Sequence, residues 1–249
     1  DERLARVVDV AHGIGVAVED RAEVDHVPAP ALDHAGQQQP GARQHGVDVG
    51  FHHGVKLVEI GVLELGVGTG RLAIPIAQQG LEIVGVDINS DMLEVAKKKT
   101  KAMGLFTDNP QFVHSDMTSM KIERQDFSLI TIPENTILMV ISHAERVNFL
   151  TRISKALGNE GKILISVFVP NPEFLYDESN EPISIGDVEN PYNNNTYHLS
   201  AYNRFDHVQQ LNHALQIVQE ITPQGELVNT RKLEFDLAYM WPHQVVQML

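Results

Sequence analysis

The sequence has no cysteine, few basic residues and no long apolar run, and each of these absences excludes a class of function. Without cysteine there is no disulfide framework, thiolate nucleophile or thiolate metal site. The 33 acidic residues outnumber the 19 basic ones, and the net charge of -14 argues against a surface that follows nucleic-acid phosphates. No segment has the length of a membrane span, and the first residues lack a basic-then-apolar signal pattern. We therefore expect a cytoplasmic protein whose partner is a small molecule, with no nucleic acid and no membrane.

The composition changes near residue 57 in a chain of 249 residues, which is long enough for one α/β domain with an insertion. Residues 1–55 contain no Ser, Thr, Asn, Lys, Met or Tyr, yet they hold half of the twelve histidines. We interpret residues 1–57 as an N-terminal segment of different origin, such as a fusion or a misassigned start. Within this segment, Arg6 to Val10 and Ile14 to Glu19 alternate well enough to form strands.

The histidines of this segment raise the question of a metal site. His45, His52 and His53 carry imidazoles, which are common ligands of zinc and nickel. No HExxH or comparable spacing is present, and adjacent histidines on a strand point to opposite faces. The pattern favours a solvated tract, and we predict no metal site.

The most informative stretch is Val62–Gly70, in which an apolar strand containing Glu64 leads into alternating glycines. These glycines are Gly66, Gly68 and Gly70. Because glycine lacks a Cβ atom, the chain can turn sharply and bring backbone N–H groups against a ligand at the carboxyl end of a strand. Asp87 closes a second apolar strand roughly twenty residues later, where a carboxylate can meet a ribose diol. The pattern predicts a pocket for a nucleotide-type cofactor.

The spacing of the glycines distinguishes between cofactors. A dinucleotide fingerprint would place its third glycine at position 71, which is Arg71, so a nicotinamide cofactor is disfavoured. A triphosphate loop needs Gly-Lys-Ser or Gly-Lys-Thr, and no lysine lies between Lys56 and Lys97. The remaining pattern, E-x-G-x-G-x-G followed by an acid at the end of the next strand, resembles motif I of class I S-adenosylmethionine-dependent methyltransferases. Residues 87–96 resemble that family's Asp-x-Ser-x-x-Met-Leu-x-x-Ala segment.

The resemblance covers roughly residues 61–249 and implies an α/β fold. This fold is a doubly wound, Rossmann-like parallel sheet with an inserted antiparallel β-meander, which forms a substrate wall or a homodimer contact. We expect the last two strands of the family fold to be missing. The chain then divides into a cofactor-binding core at 58–172, the insertion at 173–240 and the start of a final helix at 241–249.

Periodic patterns place the elements of this fold. Five strands are expected in the core: Val62–Leu65, Glu82–Asp87, Gln111–His114, Phe127–Ile132 and Lys162–Val169. Helices are expected at Arg71–Gln79, at Asp91–Met103 and from a capping box at Ser142 to Gly158. After them we expect a long loop, Asn171–Asn195, and a meander of three strands, Tyr197–Phe205, Ala214–Ile221 and Leu227–Met240. If Lys162–Val169 is an edge strand, residues 1–55 could pair with it.

The same resemblance implies that eight residues bind S-adenosylmethionine: Glu64, Gly66, Gly68, Gly70, Asp87, Ile88, Asp116 and Met117. The glycines would line the methionine half of the cofactor, and Glu64 would orient the loop near the amino group. Asp87 would accept from the ribose hydroxyls and Asp116 from the adenine amino group. Ile88 would lie on the adenine face, with Met117 as the apolar neighbour of Asp116. Simpler roles stay open, because Glu64 and Asp116 could cap backbone N–H groups and Ile88 could be ordinary core.

The acceptor side is defined by the residues after the fourth strand. Nucleic-acid amino methyltransferases carry Asn-Pro-Pro-Tyr or Asp-Pro-Pro-Tyr there, whereas this chain has Ile-Pro-Glu-Asn, which disfavours DNA and RNA bases. Glu134 and Asn135 could position an amine or hydroxyl, or could only shape the loop. His143 could act as a general base, because a neutral imidazole takes up a proton near pH 7, although a surface role is the simpler reading.

Two further groups have open roles. Tyr202–Phe205 and His207 could face a polar or anionic acceptor, or could be sheet packing. Lys97–Lys99 and Lys101 form a basic run on a helix, for which a solvated face is the simplest interpretation.

Together these patterns favour an S-adenosylmethionine-dependent methyltransferase that acts on the N or O of a small molecule. One alternative is an inactive or truncated methyltransferase-like domain that serves as an interaction module. A second alternative is an NAD(P)-dependent oxidoreductase, which rests on fold analogy alone.

Overall fold

The computed structural model describes residues 5–11, 61–105, 108–169, 171–177, 179–190 and 193–249. A parallel sheet contains six strands: β1 (Ala5–Ala11), β2 (Gly61–Leu65), β3 (Glu82–Asp87), β4 (Gln111–His114), β5 (Phe127–Ile132) and β6 (Leu157–Phe168). An antiparallel sheet contains four: β7 (Ile183–Glu189), β8 (Thr196–Asp206), β9 (Leu211–Ile221) and β10 (Leu227–Ala238). The helices are α1 (Ala73–Gln78), α2 (Ser90–Ala102), α3 (His143–Ser154), α4 (Pro172–Leu175) and α5 (Pro242–Met248). A 3-10 helix covers Thr136–Met139.

The strand order of the parallel sheet is β1-β6-β5-β2-β3-β4. The chain passes from β2 outward to β3 and β4, then returns to the other side of β2 to form β5 and β6. The order therefore reverses between β2 and β5, and in open parallel sheets ligands bind at the carboxyl ends of the strands that flank such a reversal. The glycine loop begins at this point. The predicted doubly wound sheet with an inserted antiparallel sheet is confirmed.

The main core lies on the central strands of the parallel sheet. All five residues of β2 are buried, as expected for a parallel strand that is covered on both faces. Apolar side chains of β5, β6 and α3 share one cluster with residues of the 3-10 helix and of the chain around α5: Ile130, Ile132, Ile137, Leu138, Phe149, Ile153, Ile163, Ile165, Met240 and Val245. This shared cluster fastens the end of β10 and α5 to the parallel sheet.

The strand β1 pairs in parallel with β6, from Ala5 opposite Lys162 to Ala11 opposite Phe168. This pairing confirms the strand expected at Arg6–Val10, and it covers the edge that residues 1–55 were expected to be able to fill. The expected strand at Ile14–Glu19 lies outside the described residues, as do the three histidines considered as metal ligands. Within the described ranges no group of three or more His, Asp or Glu side chains could hold a metal ion.

Two expectations about the boundary between α3 and β6 are wrong. The helix ends at Ser154 instead of Gly158, and β6 begins at Leu157 instead of Lys162. The reason is long-range pairing, because Leu157 lies opposite Phe127 in the sheet. Gly161 permits the close approach of the two strands, since a Cβ atom there would lie 2.6 Å from the carbonyl oxygen of Phe127.

The segment expected to be a long loop, Asn171–Asn195, instead contains α4 and β7. The antiparallel sheet therefore has four strands, in the order β10-β9-β8-β7, and not the three that were expected. Its register is interrupted between Ser184 and Gly186, where the glycine adopts φ +145°. Gln210 and Gln244 exchange side-chain hydrogen bonds of 3.1 and 2.8 Å, which tie the turn after β8 to α5. Among the described helices, none is long and apolar enough to span a membrane.

Candidate cofactor and acceptor site

The loop after β2 has the backbone conformation that its glycines permit. Gly66 and Gly68 have φ values of +81° and +52°, in the left-handed region that other residues rarely adopt. The N–H groups of Gly66 and Val67 both donate to the carbonyl oxygen of Val86, at 2.8 and 3.0 Å. A Cβ atom on Gly66 would lie 2.4 Å from the Thr136 methyl group, so the segment after β5 passes directly over this glycine. The loop is therefore held between β3 and the chain that follows β5.

Asp87 connects the loop to α2. It is buried, and one carboxylate oxygen accepts from the Gly68 N–H at 2.7 Å while the other accepts from the Asn89 N–H at 2.8 Å. Asn89 in turn caps α2 by accepting from the N–H groups of Asp91 and Met92. Each carboxylate oxygen has a second lone pair, so Asp87 can also accept from a ribose diol. The position expected for ribose binding is thus a fixed carboxylate at the carboxyl end of β3.

Glu64 lies at the carboxyl end of β2 with only 2% of its surface exposed. Its Oε2 atom is buried and has no hydrogen-bond partner among the described residues. Burial raises the pKa of Glu64 to about 8, against the lowering effects of the Arg71 charge and of a hydrogen bond from the Ala73 backbone. The nearby Asp87 charge raises it further. A pKa of about 8 favours the neutral carboxyl group of Glu64 over its carboxylate at pH 7.

Arg71 links the glycine loop to the segment after β5. Its guanidinium donates to the Glu134 carboxylate at 2.5 Å, and both side chains are more than half exposed. This contact places Glu134, one of the expected acceptor-side residues, beside the end of the loop.

The segment Pro133–Thr136 is strained and firmly held. Glu134 and Asn135 have φ values of 52° and 65°, which cost on the order of 1 to 3 kcal/mol each for residues other than glycine. The Asn135 side-chain oxygen accepts from the Phe168 N–H at 2.7 Å, and the Asn135 N–H donates to the Ser166 carbonyl at 3.0 Å. Asn135 thus fastens the end of β5 to the end of β6, and this arrangement presents Glu134 toward Arg71.

The expected adenine-side residues occupy the ends of β3 and β4. Ile88 is 59% exposed, which suits an apolar contact with a ligand better than a core position. Asp116 accepts from the backbone and the hydroxyl of Thr118, both at 2.7 Å, and these bonds lower its pKa. Met117 packs against the main core, and its carbonyl oxygen accepts from Arg152. The roles of these three residues toward the cofactor stay predictions.

His143 lies apart from this constellation. It is exposed at the first position of α3, after the N-cap Ser142. Among the described residues no hydrogen bond involves its side chain, so nothing orients it toward Glu134 or Asn135. A general-base role for His143 stays a prediction without geometric support.

Lys99 is a residue of the site that sequence reasoning missed. Its ammonium donates to the Thr69 hydroxyl of the glycine loop at 2.9 Å, and partial burial lowers its pKa. The expectation of a solvated face is therefore wrong for Lys99, whereas Lys97 is exposed and pairs with Glu94. A signal was available, because Lys99 follows Met92 and Ala96 at helical spacing, and both approach the loop glycines.

A cavity of about 420 Å³ lies in the antiparallel sheet beside the segment that precedes β7. Its walls combine aromatic rings, an amide and charged groups: Phe174, Asp177, Glu181, Tyr202, Asn203, Arg204, Phe205, His213, Glu234 and Asp236. The expected group Tyr202–Phe205 therefore lines a cavity. His207 is not part of the lining, and its Nδ1 atom lies 3.0 Å from the Tyr239 hydroxyl. No residue of the glycine loop lines this cavity.

The strand order, the glycine loop at the reversal point and the acid at the end of β3 define a class I methyltransferase fold. Residues 62–161 match the family model described as a methyltransferase domain. Demethylmenaquinone methyltransferase from Clavibacter sepedonicus is 28% identical over 111 residues, which are 45% of this chain and 42% of that protein. Residues 62–161 are thus similar to the methyltransferase domain family, and the fold around them is that of class I S-adenosylmethionine-dependent methyltransferases.

Solved structures extend the similarity beyond this domain. An S-adenosylmethionine-dependent methyltransferase from Clostridium acetobutylicum is 20% identical, with a TM-score of 0.58, over 77% of this chain and 72% of that one. S-adenosylmethionine-bound CalS10, an amino pentose methyltransferase from Micromonospora echinaspora, is 13% identical, with a TM-score of 0.58, over 78% of this chain and 74% of that one. These shares exceed residues 62–161, so the shared fold extends beyond the methyltransferase domain. The chain spans about half the length, or less, of the first curated relatives it matches.

The residues of the site fit S-adenosylmethionine, the cofactor of this family. The glycine loop offers backbone without side chains, and Asp87 offers a carboxylate at the ribose position. The unpartnered Oε2 atom of Glu64 needs a donor, which the α-ammonium of the cofactor can provide. These features do not favour a nicotinamide cofactor, because Arg71 stands where the dinucleotide-binding motif has its third glycine.

Proposed function

We propose that this protein transfers a methyl group from S-adenosylmethionine to a nitrogen of a small, polar acceptor. The observation that carries the proposal is the glycine loop at the reversal point of the sheet, tied by Gly68 to the buried carboxylate of Asp87. When bound, the cofactor supplies a methyl group activated on a sulfonium. The protein then has to align the acceptor with that group and exclude water, and no nucleophilic side chain is required.

In this proposal the cofactor is held by both halves of the site. Gly66, Gly68 and Gly70 line its methionine half, and Asp87 accepts from its ribose hydroxyls. Asp116 accepts from the adenine amino group, Ile88 lies on the adenine face, and Met117 is the apolar neighbour of Asp116. The bonds that Asp87 already makes to Gly68 and Asn89 fix its orientation before the cofactor binds, so little side-chain order is lost on binding.

The acceptor side is formed by the strained segment after β5. Glu134 stands beside the glycine loop through its contact with Arg71, and Asn135 holds the segment on β6. We assign Glu134 the task of positioning the acceptor amine by accepting one of its N–H groups. Asn135 is a positioning residue, since its side-chain oxygen is already bound to the Phe168 N–H.

A nitrogen acceptor is favoured over oxygen by the charge of the antiparallel sheet, which acts on an approaching ligand through its electrostatic field because the cavity there does not include the glycine loop. Four carboxylates line the cavity there, Asp177, Glu181, Glu234 and Asp236, against a single arginine. Such a wall attracts a cationic amine before it loses its proton, whereas a neutral alcohol gains little from it. CalS10, whose fold is shared, is an amino pentose methyltransferase, and an amino sugar has the polarity and size that this lining suits.

The proposal is tested by measuring transfer of isotopically labelled methyl groups from S-adenosylmethionine to amino sugars and to the same sugars with hydroxyl in place of the amine. We expect transfer to the amines, and we expect Glu134→Gln to lower kcat by about 10- to 100-fold, since the amide lacks the negative charge that pairs with Arg71 and strengthens the hydrogen bond from the acceptor amine. Glu94→Gln is the matched control, because Glu94 is an exposed glutamate that forms an ion pair on α2. Equal transfer to the hydroxyl analogues, or full activity of Glu134→Gln, would contradict the assignment.

A further inference from the structure

Glu64 occupies an unusual position for a carboxyl group. It lies in β2, the central strand of the parallel sheet, between Gly85 of β3 and Thr131 of β5. Neither neighbour is charged, and the side chain is 98% removed from solvent while its Oε2 atom has no hydrogen-bond partner in the described chain. An ionised carboxylate in such a place, with neither water nor a cation, is strongly disfavoured.

The charged groups around Glu64 do not supply the missing partner. Arg71 directs its guanidinium to Glu134, at 2.5 Å, and its side chain is largely exposed. Asp87 adds a negative charge on the other side and is bound to Gly68 and Asn89. In α1, the backbone N–H of Ala73 donates to Glu64. In α2, the half-buried Lys99 donates to the Thr69 hydroxyl and not to Glu64. The arrangement is consistent with the raised pKa of Glu64, about 8, for which burial is the largest cause.

We propose that Glu64 is a carboxylic acid while the cofactor site is empty and releases its proton when the cofactor enters, so that its carboxylate pairs with the α-ammonium group. In this step the O–H bond of Glu64 breaks and the proton passes to the buffer. The resulting carboxylate accepts an N–H of the incoming ammonium, so these two opposite charges are buried as a pair. The inference rests on the proposed cofactor and adds to it a proton that is exchanged with every binding event.

A selectivity follows from this exchange. A ligand that carries the nucleoside but no α-ammonium offers no cation to pair with the Glu64 carboxylate. Glu64 therefore keeps its proton, and such a ligand binds without proton release. S-adenosylhomocysteine retains the ammonium, whereas 5′-methylthioadenosine lacks the whole amino-acid part. The two ligands therefore separate the effect of the amino-acid part, which carries the ammonium, from that of the adenosine.

Titration calorimetry in several buffers of different ionisation enthalpy measures the released protons directly. With S-adenosylhomocysteine at pH 7, we expect about 0.9 proton released per ligand, because an acid of pKa about 8 is mostly protonated there. We expect the number to fall to about half at pH 8, where about half of the Glu64 carboxyl groups are already ionised before the ligand binds. Below pH 7, each increase of one pH unit should raise the affinity for S-adenosylhomocysteine roughly tenfold, because one proton must leave Glu64 when the ligand binds.

Two comparisons identify Glu64 as the source of the proton. Glu64→Gln should bind S-adenosylhomocysteine with no proton release and with an affinity that does not change between pH 6 and 8. Asp116→Asn is the matched control, because the pKa of Asp116 is lowered and its carboxylate is already charged. This variant should bind more weakly yet release the same number of protons as the unaltered protein.

The inference would be overturned by S-adenosylhomocysteine binding that releases no proton, or by equal release from Glu64→Gln. In either case S-adenosylhomocysteine would still bind, so the proposed cofactor would stand. Absence of binding by folded protein would instead overturn the proposed function, and the inference with it. Should Glu64→Gln fail to fold, 5′-methylthioadenosine decides the matter on the unaltered protein, since equal proton release with this ligand would refute the role of the ammonium.

Discussion

Glu64 makes folding stability depend on pH in a direction opposite to that of most carboxyl groups. Its pKa is 4.5 in a solvated chain and about 8 in the folded protein, so the folded state binds the proton more tightly. The stabilisation from this proton is present in full below pH 4.5 and is lost as the pH rises through 8. A typical ion-paired carboxylate instead has a lowered pKa, and the stability that it contributes is lost as the pH falls.

The size of the effect follows from the two pKa values. Each pKa unit corresponds to about 1.4 kcal/mol, so between pH 5 and pH 8 this one group removes about 3 to 4 kcal/mol from the free energy of unfolding. In Glu64→Gln the side chain is neutral at every pH, and the loss disappears. We expect the variant to match the unaltered protein near pH 5 and to exceed it by about the same 3 to 4 kcal/mol at pH 8.

Urea unfolding at pH 5, 6, 7 and 8, followed by circular dichroism, measures both proteins under the same conditions. Other titrating groups are common to the two proteins and cancel in the difference. Glu94→Gln serves as a control, because its exposed carboxylate has a lowered pKa and gives no such gain at high pH. Parallel profiles for Glu64→Gln and the unaltered protein would refute the buried-acid reasoning.

Three further predictions concern the loop, the ribose position and the core. In urea unfolding, Gly66→Ala should destabilise the protein by about 1 to 3 kcal/mol more than Gly80→Ala. Both glycines have φ near +80°, but only at position 66 would a Cβ atom press into Thr136. Equal effects of the two substitutions would contradict this close approach. Asp87→Asn should weaken S-adenosylhomocysteine binding by about 10- to 100-fold in calorimetry, and unchanged affinity would exclude the ribose role. Phe149→Ala should lower the free energy of unfolding by about 3 to 5 kcal/mol, since the ring is 2% exposed in the main core, and a loss under 1 kcal/mol would contradict that placement.

Local patterns were sufficient for much of the parallel sheet. The bounds of β3, β4 and β5 agree with the expected ranges, because each is a short apolar run between turn residues. The strand β7 was missed, since Gly186 interrupts its alternation and prolines and asparagines surround it in the sequence. The boundary between α3 and β6 was misplaced because it depends on pairing with Phe127, and such long-range pairing leaves no trace in a local pattern.

The site shows the same division between local and long-range information. The glycine loop and Asp87 were predictable because their roles depend on backbone freedom and on the ends of adjacent strands. The contact of Arg71 with Glu134 joins residues 63 positions apart, and no motif marks it. The contact of Lys99 with Thr69 joins residues 30 positions apart, and the helical spacing of Lys99 after Met92 and Ala96 was the available signal for it. The unpartnered state of Glu64 likewise emerges only when the surrounding strands close over it.

The most direct test of the central claim is a crystal structure of the protein grown with S-adenosylhomocysteine. We predict that the methionine half lies along Gly66–Gly70 with its ammonium on Glu64, and that the ribose hydroxyls lie on Asp87. Density for the ligand only in the cavity of the antiparallel sheet, or a loop left empty at saturating ligand, would contradict the account.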